Sequence, residues 1–349
     1  MNEIIQCGVD FHARQQTICY LKTETGELVT ETLKHEPREA LRQFYRQFPG
    51  PVIVGLEASG YSTWFEELLT ELGHEVWLGD ATEIRRRARG RQKNDRRDAE
   101  HILELLLEHR FPRLHRPTLA SRELLRMLRY RQKLVKVRTI VKNSLQALAL
   151  QAGLSLKAGL FSKAGKEQLL ATTMTAVMTV QRQQWWELLV DLDQRIRESE
   201  KWLQQEAFQD HRIRLLRSHP GIGLLTALAL VHTLEPVSRF ATTRKVAAYG
   251  GFDPREDSSG ERKRFLGISK AGSRLLRHLL VEATLQASKK DPDLKRFYQR
   301  LVHRRGKAKA RVAVARKLLV RSFIMLRDQI NYAEFQQRAV AARLARGVA

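Results

Sequence analysis

Four acidic residues in the first hundred positions could together bind divalent metal ions. Asp95 and Asp98 stand three residues apart at the start of an apolar-periodic run, so in a helix their carboxylates would be neighbours on one face. Asp10 follows an apolar strand-like run, and Glu57 ends another. An isolated DxxD pair is more often a solvated helix face or a favourable interaction with the helix dipole, but the other two acids favour a metal site. Two Mg²⁺ ions suit such an all-oxygen set and could clamp the attacking and leaving oxygens of a phosphodiester.

The chain carries far more basic than acidic side chains. Its 349 residues include 62 Lys and Arg against 38 Asp and Glu, a formal net charge of +24. Such an excess repels itself unless a polyanion compensates it, so we expect a nucleic-acid partner. No apolar run approaches the roughly 18 residues of a membrane span, so we expect a soluble, intracellular protein. Cys7 and Cys19 are expected to be small buried hydrophobes, and no Cys/His spacing indicates zinc.

The elements that must position the acids are predicted in the order β-β-β-α-β-α-β-α. Strands are predicted at 4–9, 16–22, 27–33, 51–56 and 74–78, and helices at 37–48, at 62–72 and from the DxxD pair onward. This order, with Asp10 on the first strand and Glu57 at the end of the fourth, resembles the α/β ribonuclease H-like fold and its RuvC-like branch. Sugar-kinase-like folds share the early strand order, but the sequence lacks a glycine-rich phosphate loop.

A basic segment, residues 83–93, separates the last predicted strand from the DxxD helix. It is either a mobile basic loop or, beside four carboxylates, a segment that steers a phosphate backbone into the site. The second interpretation makes five side chains candidates for nucleic-acid binding: Arg85, Arg86, Arg87, Arg91 and Lys93.

The sequence pattern over residues 119–210 predicts a helical connector. Leucines and valines form one apolar stripe over 119–150, and 182–208 is again helical. The tryptophans of the second segment, Trp185, Trp186 and Trp202, fit packing in a core or coiled coil better than a base-stacking platform. We therefore predict a coiled-coil element that serves oligomerisation.

The remaining part, 211–349, is predicted to be mostly helical. Its Pro220-Gly221-Ile222-Gly223 turn looks like a helix-hairpin-helix, in which Gly221 and Gly223 let backbone N–H groups approach a phosphate; a plain turn between two helices is the alternative. Lys270 and Arg274, at the start of a helix running to about 287, are further candidates for nucleic-acid contacts. We predict that residues 336–349 form a frayed tail.

Seven motifs appear in an order that resembles a known family. They are Asp10, the Glu57-Ala58 and Gly60-Tyr61 pairs, Lys93–Ala99 with its two aspartates, the Pro220–Gly223 turn, Arg239-Phe240 with Ala248–Gly250, Ser258–Gly260, and Ile268–Gly272. Together they resemble the DEDD transposases of the insertion sequence 110 family over residues 4 to 287. The resemblance implies three parts: a RuvC-like catalytic domain at 1–118, the connector at 119–210, and a C-terminal transposase domain at 211–349.

The resemblance also implies an activity. It implies a Mg²⁺-dependent recombinase that excises and inserts its own mobile element in the cytoplasm of a prokaryotic cell, guided by an element-encoded bridging RNA that pairs with donor and target DNA. It further implies a tetramer and a serine that attacks DNA. That serine corresponds to Ser259, with Ser258 as the second candidate.

Two other interpretations remain open. A metal-dependent junction resolvase or nuclease could use the same four acids with water as the nucleophile, which would leave the Asp257-Ser258-Ser259-Gly260 segment as a structural turn. A non-catalytic nucleic-acid-binding protein would need only the positive charge and the hairpin, but it would leave the four acids without a role.

Overall fold

The structure is a computed structural model that describes residues 5–22, 25–88, 94–154, 159–257 and 264–344. It divides into two units, Met1–Arg116 and Pro117–Ala349. Among the described residues, no helix combines the length and the apolar character that crossing a membrane requires.

The N-terminal unit is built on one mixed sheet. Its elements are β1 (Gln6–Phe11), β2 (Gln15–Leu21), β3 (Leu28–Lys34), α1 (Arg38–Arg46), β4 (Ile53–Glu57), α2 (Thr63–Glu71), β5 (Glu75–Gly79), α3 (Ala81–Arg87) and α4 (Asp95–Leu107). The strand order is β3-β2-β1-β4-β5, with β2 antiparallel to β1 and β3, and with β4 parallel to β1 and β5. The mixed α/β character predicted from the sequence is confirmed.

The predicted element order is wrong at one point, because the basic segment contains a helix. Asp80 begins α3 by accepting hydrogen bonds from the backbone N–H groups of Thr82 and Glu83. Such a cap offsets the unsatisfied donors of a short helix. The segment between β5 and α4 is therefore helical through Arg87 rather than a loop from residue 83.

The position of α4 is set by a glycine in the central strand. A Cβ atom on Gly8 would lie 2.3 Å from the carbonyl oxygen of Ala99 and 2.5 Å from the backbone nitrogen of Leu103. Gly55, the neighbour of Gly8 on β4, faces the side chain of Leu106 in the same way. Two adjacent residues without side chains thus let α4 pack directly on the strand backbone.

Strand alternation then fixes which acids face α4. Asp10 lies two residues after Gly8 on β1, and Glu57 lies two residues after Gly55 on β4, so both carboxylates share the α4 face of the sheet. The opposite face is apolar and buries a separate core against α1 and α2. Its central side chains are Cys7, Val9, Val54, Leu56 and Phe65.

The described residues of the C-terminal unit are helical apart from one two-stranded hairpin, as expected for this region. Its elements are α5 (Leu119–Gln151), α6 (Lys163–Ala171), α7 (Ala176–Ala207), α8 (His211–Arg217), α9 (Leu224–Leu234), a 3₁₀ turn (Val237–Arg239), α10 (Thr243–Tyr249), β6 (Pro254–Glu256), β7 (Phe265–Ile268), α11 (Arg274–Lys290), α12 (Pro292–Arg305), α13 (Lys307–Asp328) and α14 (Tyr332–Leu344).

The two long helices α5 and α7 form an antiparallel pair. Arg131 binds Glu200, and Arg138 binds Asp193 at 3.1 Å, which fixes their register. One end of the pair shares a core with α8 to α13, and the other end has a small core of its own with α6. Trp185 and Trp186 pack against the small core and Trp202 against the large one.

Two glycine-containing loops, 249–251 and 270–272, are in close backbone contact. A Cβ atom on Gly251 would lie 2.2 Å from the carbonyl oxygen of Ala271, and one on Gly272 would lie 2.1 Å from that of Tyr249. Both glycines have a positive φ, +71° and +67°. Tyr249 of the Ala248–Gly250 motif and Ala271 and Gly272 of the Ile268–Gly272 motif therefore take part in this contact between segments 249–251 and 270–272.

The prediction of a frayed tail is wrong for the first part of the C-terminus. Helix α14 continues to Leu344, and Phe335 packs against the core of the unit. Tyr332 anchors its start by donating a hydrogen bond of 2.7 Å to the buried carboxylate of Asp291.

Gly8→Ala is expected to destabilise the N-terminal unit by about 1–3 kcal/mol or more, because the new methyl group collides with backbone atoms that cannot rotate away. Urea unfolding of the full chain measures the change. Gly50→Ala is the matched control, since a Cβ atom there meets nothing within 4 Å. Equal stability of the two variants would contradict the close contact between α4 and β1.

Candidate active site

One face of the sheet brings acidic side chains from two elements together. Asp10 is the penultimate residue of β1, and Asp95 is the first residue of α4, whose N-cap is Asn94. The side chain of Asn94 accepts a hydrogen bond from the backbone N–H of Arg96. His12, just beyond β1, stands between the two aspartates, with its Nε2 atom 3.1 Å from Asp10 and 3.4 Å from Asp95.

The other two predicted acids lie in the same region. Asp10, Glu57 and Asp98 line one cleft of about 510 Å³, which we call the acidic cleft. Asp98 is in the first turn of α4, one turn after Asp95, as the DxxD spacing predicts. The four acids are therefore neighbours, although they are separated by up to 88 positions in the chain.

Burial and the neighbouring carboxylates both act on the pKa of Asp10. Burial raises the pKa of the Asp10 carboxyl above its ordinary value, and the nearby carboxylates of Asp98, Asp95 and Glu57 raise it further. The His12 ring acts in the opposite direction and lowers it. Each of the other three acids thus acts electrostatically on Asp10, as expected for carboxylates that share one site.

The chemistry of these donors fits a divalent cation. Carboxylate oxygens are hard ligands that Mg²⁺ and Mn²⁺ prefer, and an imidazole nitrogen can join them for Mn²⁺. One oxygen each from Asp10 and Asp95 and one ring nitrogen of His12 lie within 4.8 Å of one another. A cation among them would also relieve the mutual repulsion that raises the pKa of Asp10.

Sequence reasoning missed His12 and Arg97, which also belong to this region. The signal for His12 was its position two residues after Asp10, since alternate residues of a strand point to the same face. Arg97 lies between the two aspartates of the DxxD pair and lines the acidic cleft with an exposed side chain. Its guanidinium is the type of group that recognises phosphate oxygens.

The three described arginines of the basic segment have partners within the chain. Arg85 donates a hydrogen bond of 2.9 Å to Glu57, Arg86 pairs with Glu83, and Arg87 donates to the carbonyl oxygen of Arg110. The Arg85 side chain is 77% exposed, so the pair with Glu57 leaves it accessible at the edge of the acidic cleft. Arg91 and Lys93 lie outside the described residues.

The candidate nucleophiles also lie outside the described residues. Ser258 and Ser259 fall between β6 and β7, in the interval 258–263. Its two flanks are described: the backbone N–H of Asp257 donates to the carbonyl oxygen of Arg264 at 2.9 Å. The ends of the serine segment are thus held together by the hairpin.

The turn between α8 and α9 has a packing role. Gly221 has a φ of +93°, and a Cβ atom there would lie 2.6 Å from the backbone nitrogen of Ala287 on α11. Gly223 caps α9 and has open space around it. Lys270 lies in the loop that contacts Gly251, and Arg274 is the exposed first residue of α11.

Comparisons with known proteins identify relatives along most of the chain. The model of the transposase IS116/IS110/IS902 family matches residues 213–299, and the DEDD transposase model of IS110 matches residues 7–153. The transposase for insertion sequence element IS1111A of Coxiella burnetii is 31% identical over 250 residues, 69% of this chain and 68% of that protein. The "Probable family 20 transposase" of Pseudomonas aeruginosa is 31% identical over 292 residues, 80% and 85% of the two chains. The transposase for IS1328 of Yersinia enterocolitica is 29% identical over 257 residues, 71% and 74%.

Asp10→Asn is expected to raise the thermal unfolding midpoint at neutral pH, because the substitution removes a buried carboxylate that the other three acids repel. A raised carboxyl pKa means that the folded protein binds this proton more readily than the unfolded chain. Ionised Asp10 therefore lowers stability above its folded pKa, and the difference between variant and wild type should shrink as the pH falls through that value.

Thermal unfolding across a pH series, with and without Mg²⁺ or Mn²⁺, measures both effects. Added cation should stabilise the wild type but not Asp10→Asn. The control is Glu100→Gln on the same helix, where Glu100 instead pairs with Arg96 at 2.8 Å. A destabilised Asp10→Asn protein, or one that the cation stabilises as much as wild type, would refute the crowded-carboxylate site.

Proposed function

This chain belongs to the IS116/IS110/IS902 transposase family, and we propose that it recombines DNA by a metal-dependent mechanism in which the acids of the acidic cleft bind the metal and Ser259 is the nucleophile. The transposase activity follows from family membership. The observation that carries the proposed chemistry is the convergence of Asp10, Glu57, Asp95 and Asp98, because phosphodiester cleavage needs the charge on the phosphoryl oxygens to be neutralised.

In the proposed site, four acids bind Mg²⁺. Asp10, Glu57, Asp95 and Asp98 would hold two ions, which supply charge neutralisation at the phosphoryl group. His12 contacts both Asp10 and Asp95 and so orients the two carboxylates. Arg97 and Arg85 are positioned at the cleft to bind the phosphate backbone.

The proposed nucleophile is the Ser259 hydroxyl. Its oxygen forms a bond to phosphorus, and the bond from phosphorus to a deoxyribose oxygen breaks; the serine proton passes to a base, and the departing deoxyribose oxygen takes up a proton and leaves as a free DNA hydroxyl. The phosphoserine linkage conserves the energy of the phosphodiester, so a second DNA end can displace the serine. The resemblance to IS110 transposases supports this step.

The finer fold assignments belong to the same proposal. We assign the N-terminal unit to the ribonuclease H-like, RuvC-like class, supported by the order β3-β2-β1-β4-β5 in which β1, β4 and β5 are parallel and β2 is antiparallel to its neighbours. We assign the α8–α9 segment to a helix-hairpin-helix, supported by the positive φ of Gly221 in its turn. The three-part division at 118 and 210 is likewise proposed.

The proposed partners are donor and target DNA, an element-encoded bridging RNA, and three further copies of the chain. DNA follows from the family. The net charge of +24 supports a large nucleic-acid partner. The RNA and the tetramer are supported by the resemblance alone, and sequencing of RNA that copurifies with the protein tests the first of them.

One alternative function is supported by a specific observation. All four acids lie in the N-terminal unit, so a metal-dependent nuclease that activates water would need nothing from the C-terminal unit. The two mechanisms differ in their products. The serine mechanism leaves protein attached to a DNA end, and the water mechanism releases both ends free.

Replacement of any one of the four acids by its amide is expected to reduce strand cleavage by about a hundredfold or more, because the site loses electrostatic stabilisation of the phosphoryl group. The four variants are Asp10→Asn, Glu57→Gln, Asp95→Asn and Asp98→Asn. Cleavage of a labelled DNA junction in Mg²⁺ measures the effect, with Glu100→Gln as the control. Full activity in two or more of the four variants would exclude the proposed metal site.

Ser259→Ala is expected to abolish a covalent protein–DNA species, since the attacking hydroxyl is removed. Labelled DNA that stays with the protein through denaturing electrophoresis is the measurement, and Ser258→Ala is the matched control in the adjacent position. An adduct that persists in Ser259→Ala and disappears in Ser258→Ala would assign the nucleophile to Ser258. Cleavage without an adduct in the wild type would favour the water mechanism.

A further inference from the structure

A second cleft, within the C-terminal unit, is lined by basic side chains. It lies between α5 and the start of α11 and has a volume of about 640 Å³. We call it the basic cleft, and define it by Arg129, Lys133, Lys136, Tyr249, Arg274 and His278. No Asp or Glu is among its lining residues, all of which are described.

The cations of the basic cleft differ from other cations of the same helix. On the side of α5 that faces α7, Arg131 and Arg138 are neutralised by acidic residues. In contrast, Arg129, Lys133 and Lys136 are exposed and form no ion pair with any described residue. The cleft therefore carries uncompensated positive charge, which attracts a polyanion.

The spacing of these three side chains suits a chain of phosphates. Positions 129, 133 and 136 lie on one face of α5, separated by about 6 and 4.5 Å along the helix axis. Arg274 faces them from α11, and it lowers the pKa of neighbouring Arg277 by repulsion, after the larger effect of burial. Cations thus line both walls of the cleft.

The cleft also contains an accessible aromatic ring. Tyr249 is 37% exposed, and the apolar side chains of Leu125 and Leu275 lie beside it. The ring is fixed from behind by Phe240, at 5.2 Å between centroids, and by the Arg239 guanidinium at 4.3 Å. A rigid aromatic surface next to a row of cations is the arrangement that binds an unpaired nucleotide by stacking.

We propose that the basic cleft binds single-stranded DNA, with phosphates on Arg129, Lys133, Lys136 and Arg274 and one base against Tyr249. A duplex does not fit this role, because its bases are stacked within the helix and cannot reach a ring inside a concave site. DNA is the occupant because the family acts on DNA. The binding needs neither the acidic cleft nor the serine, so it can fail or succeed independently of the proposed chemistry.

The test measures binding by the full-length protein to a labelled 20-nucleotide DNA strand over a range of salt concentrations, with EDTA present to exclude metal-dependent steps. Lys133→Gln combined with Lys136→Gln should weaken binding several-fold. It should also reduce the slope of log affinity against log salt by about 1.4, the value for two lost phosphate contacts on a single strand. The matched control is Arg197→Gln with Lys201→Gln, two exposed cations of α7 outside the cleft.

Three comparisons decide the outcome. Equal slopes in the cleft variant and the control variant would overturn the site. A cleft variant that loses affinity for the matching duplex or RNA strand, but not for single-stranded DNA, would overturn the assigned ligand. An abasic DNA strand should bind the wild type roughly tenfold more weakly than a strand with bases, and that ratio should fall towards one in Tyr249→Ala, which removes the aromatic ring. A ratio of one in the wild type would overturn the contact with Tyr249.

Discussion

The direct packing of α4 on the backbone of β1 is the contact on which the acidic cleft depends. Carboxylates repel one another, so a cluster of four does not assemble by its own attraction. Burial of the apolar side of α4, through residues such as Ile102, Leu105 and Leu106, provides the opposing free energy. Gly8 makes the approach possible, because a Cβ atom there would meet backbone atoms of α4 and lift the helix that carries Asp95 and Asp98, while Gly55 leaves room for the Leu106 side chain.

The C-terminal unit handles charge in a different way. Cations that face other helices are matched by acids, as in the α5–α7 pair and in the buried contact between Arg321 and Asp291. Arg129, Lys133 and Lys136, which lack such partners among the described residues, line the basic cleft. The basic side chains of this unit therefore have two roles. Paired arginines set the register of helices, and unpaired side chains remain available to a polyanion.

Much of the acidic cleft could be predicted from the sequence, because its determinants are local. The i, i+3 spacing predicted that Asp95 and Asp98 share one face of a helix, and the strand pattern predicted Asp10 and Glu57 at strand ends. His12 was missed because its spacing from Asp10 alone does not indicate a site, and its contact with Asp95, 83 positions away, is made only by the fold. The sequence pattern did not predict helix α3, because three of its seven residues are arginines and Ile84 is its buried apolar residue. The end of α14 was missed because its stability depends on tertiary contacts of Tyr332 and Phe335.

The interlocked segments 249–251 and 270–272 determine where the chain length of this unit can vary. Each glycine fills a space that is bounded by the backbone of the opposite segment, so one inserted or deleted residue on either side would displace every contact that follows it. Changes in length are therefore expected in the connections between helices rather than here. An aligned set of relatives should have gaps elsewhere and an ungapped block at these six positions.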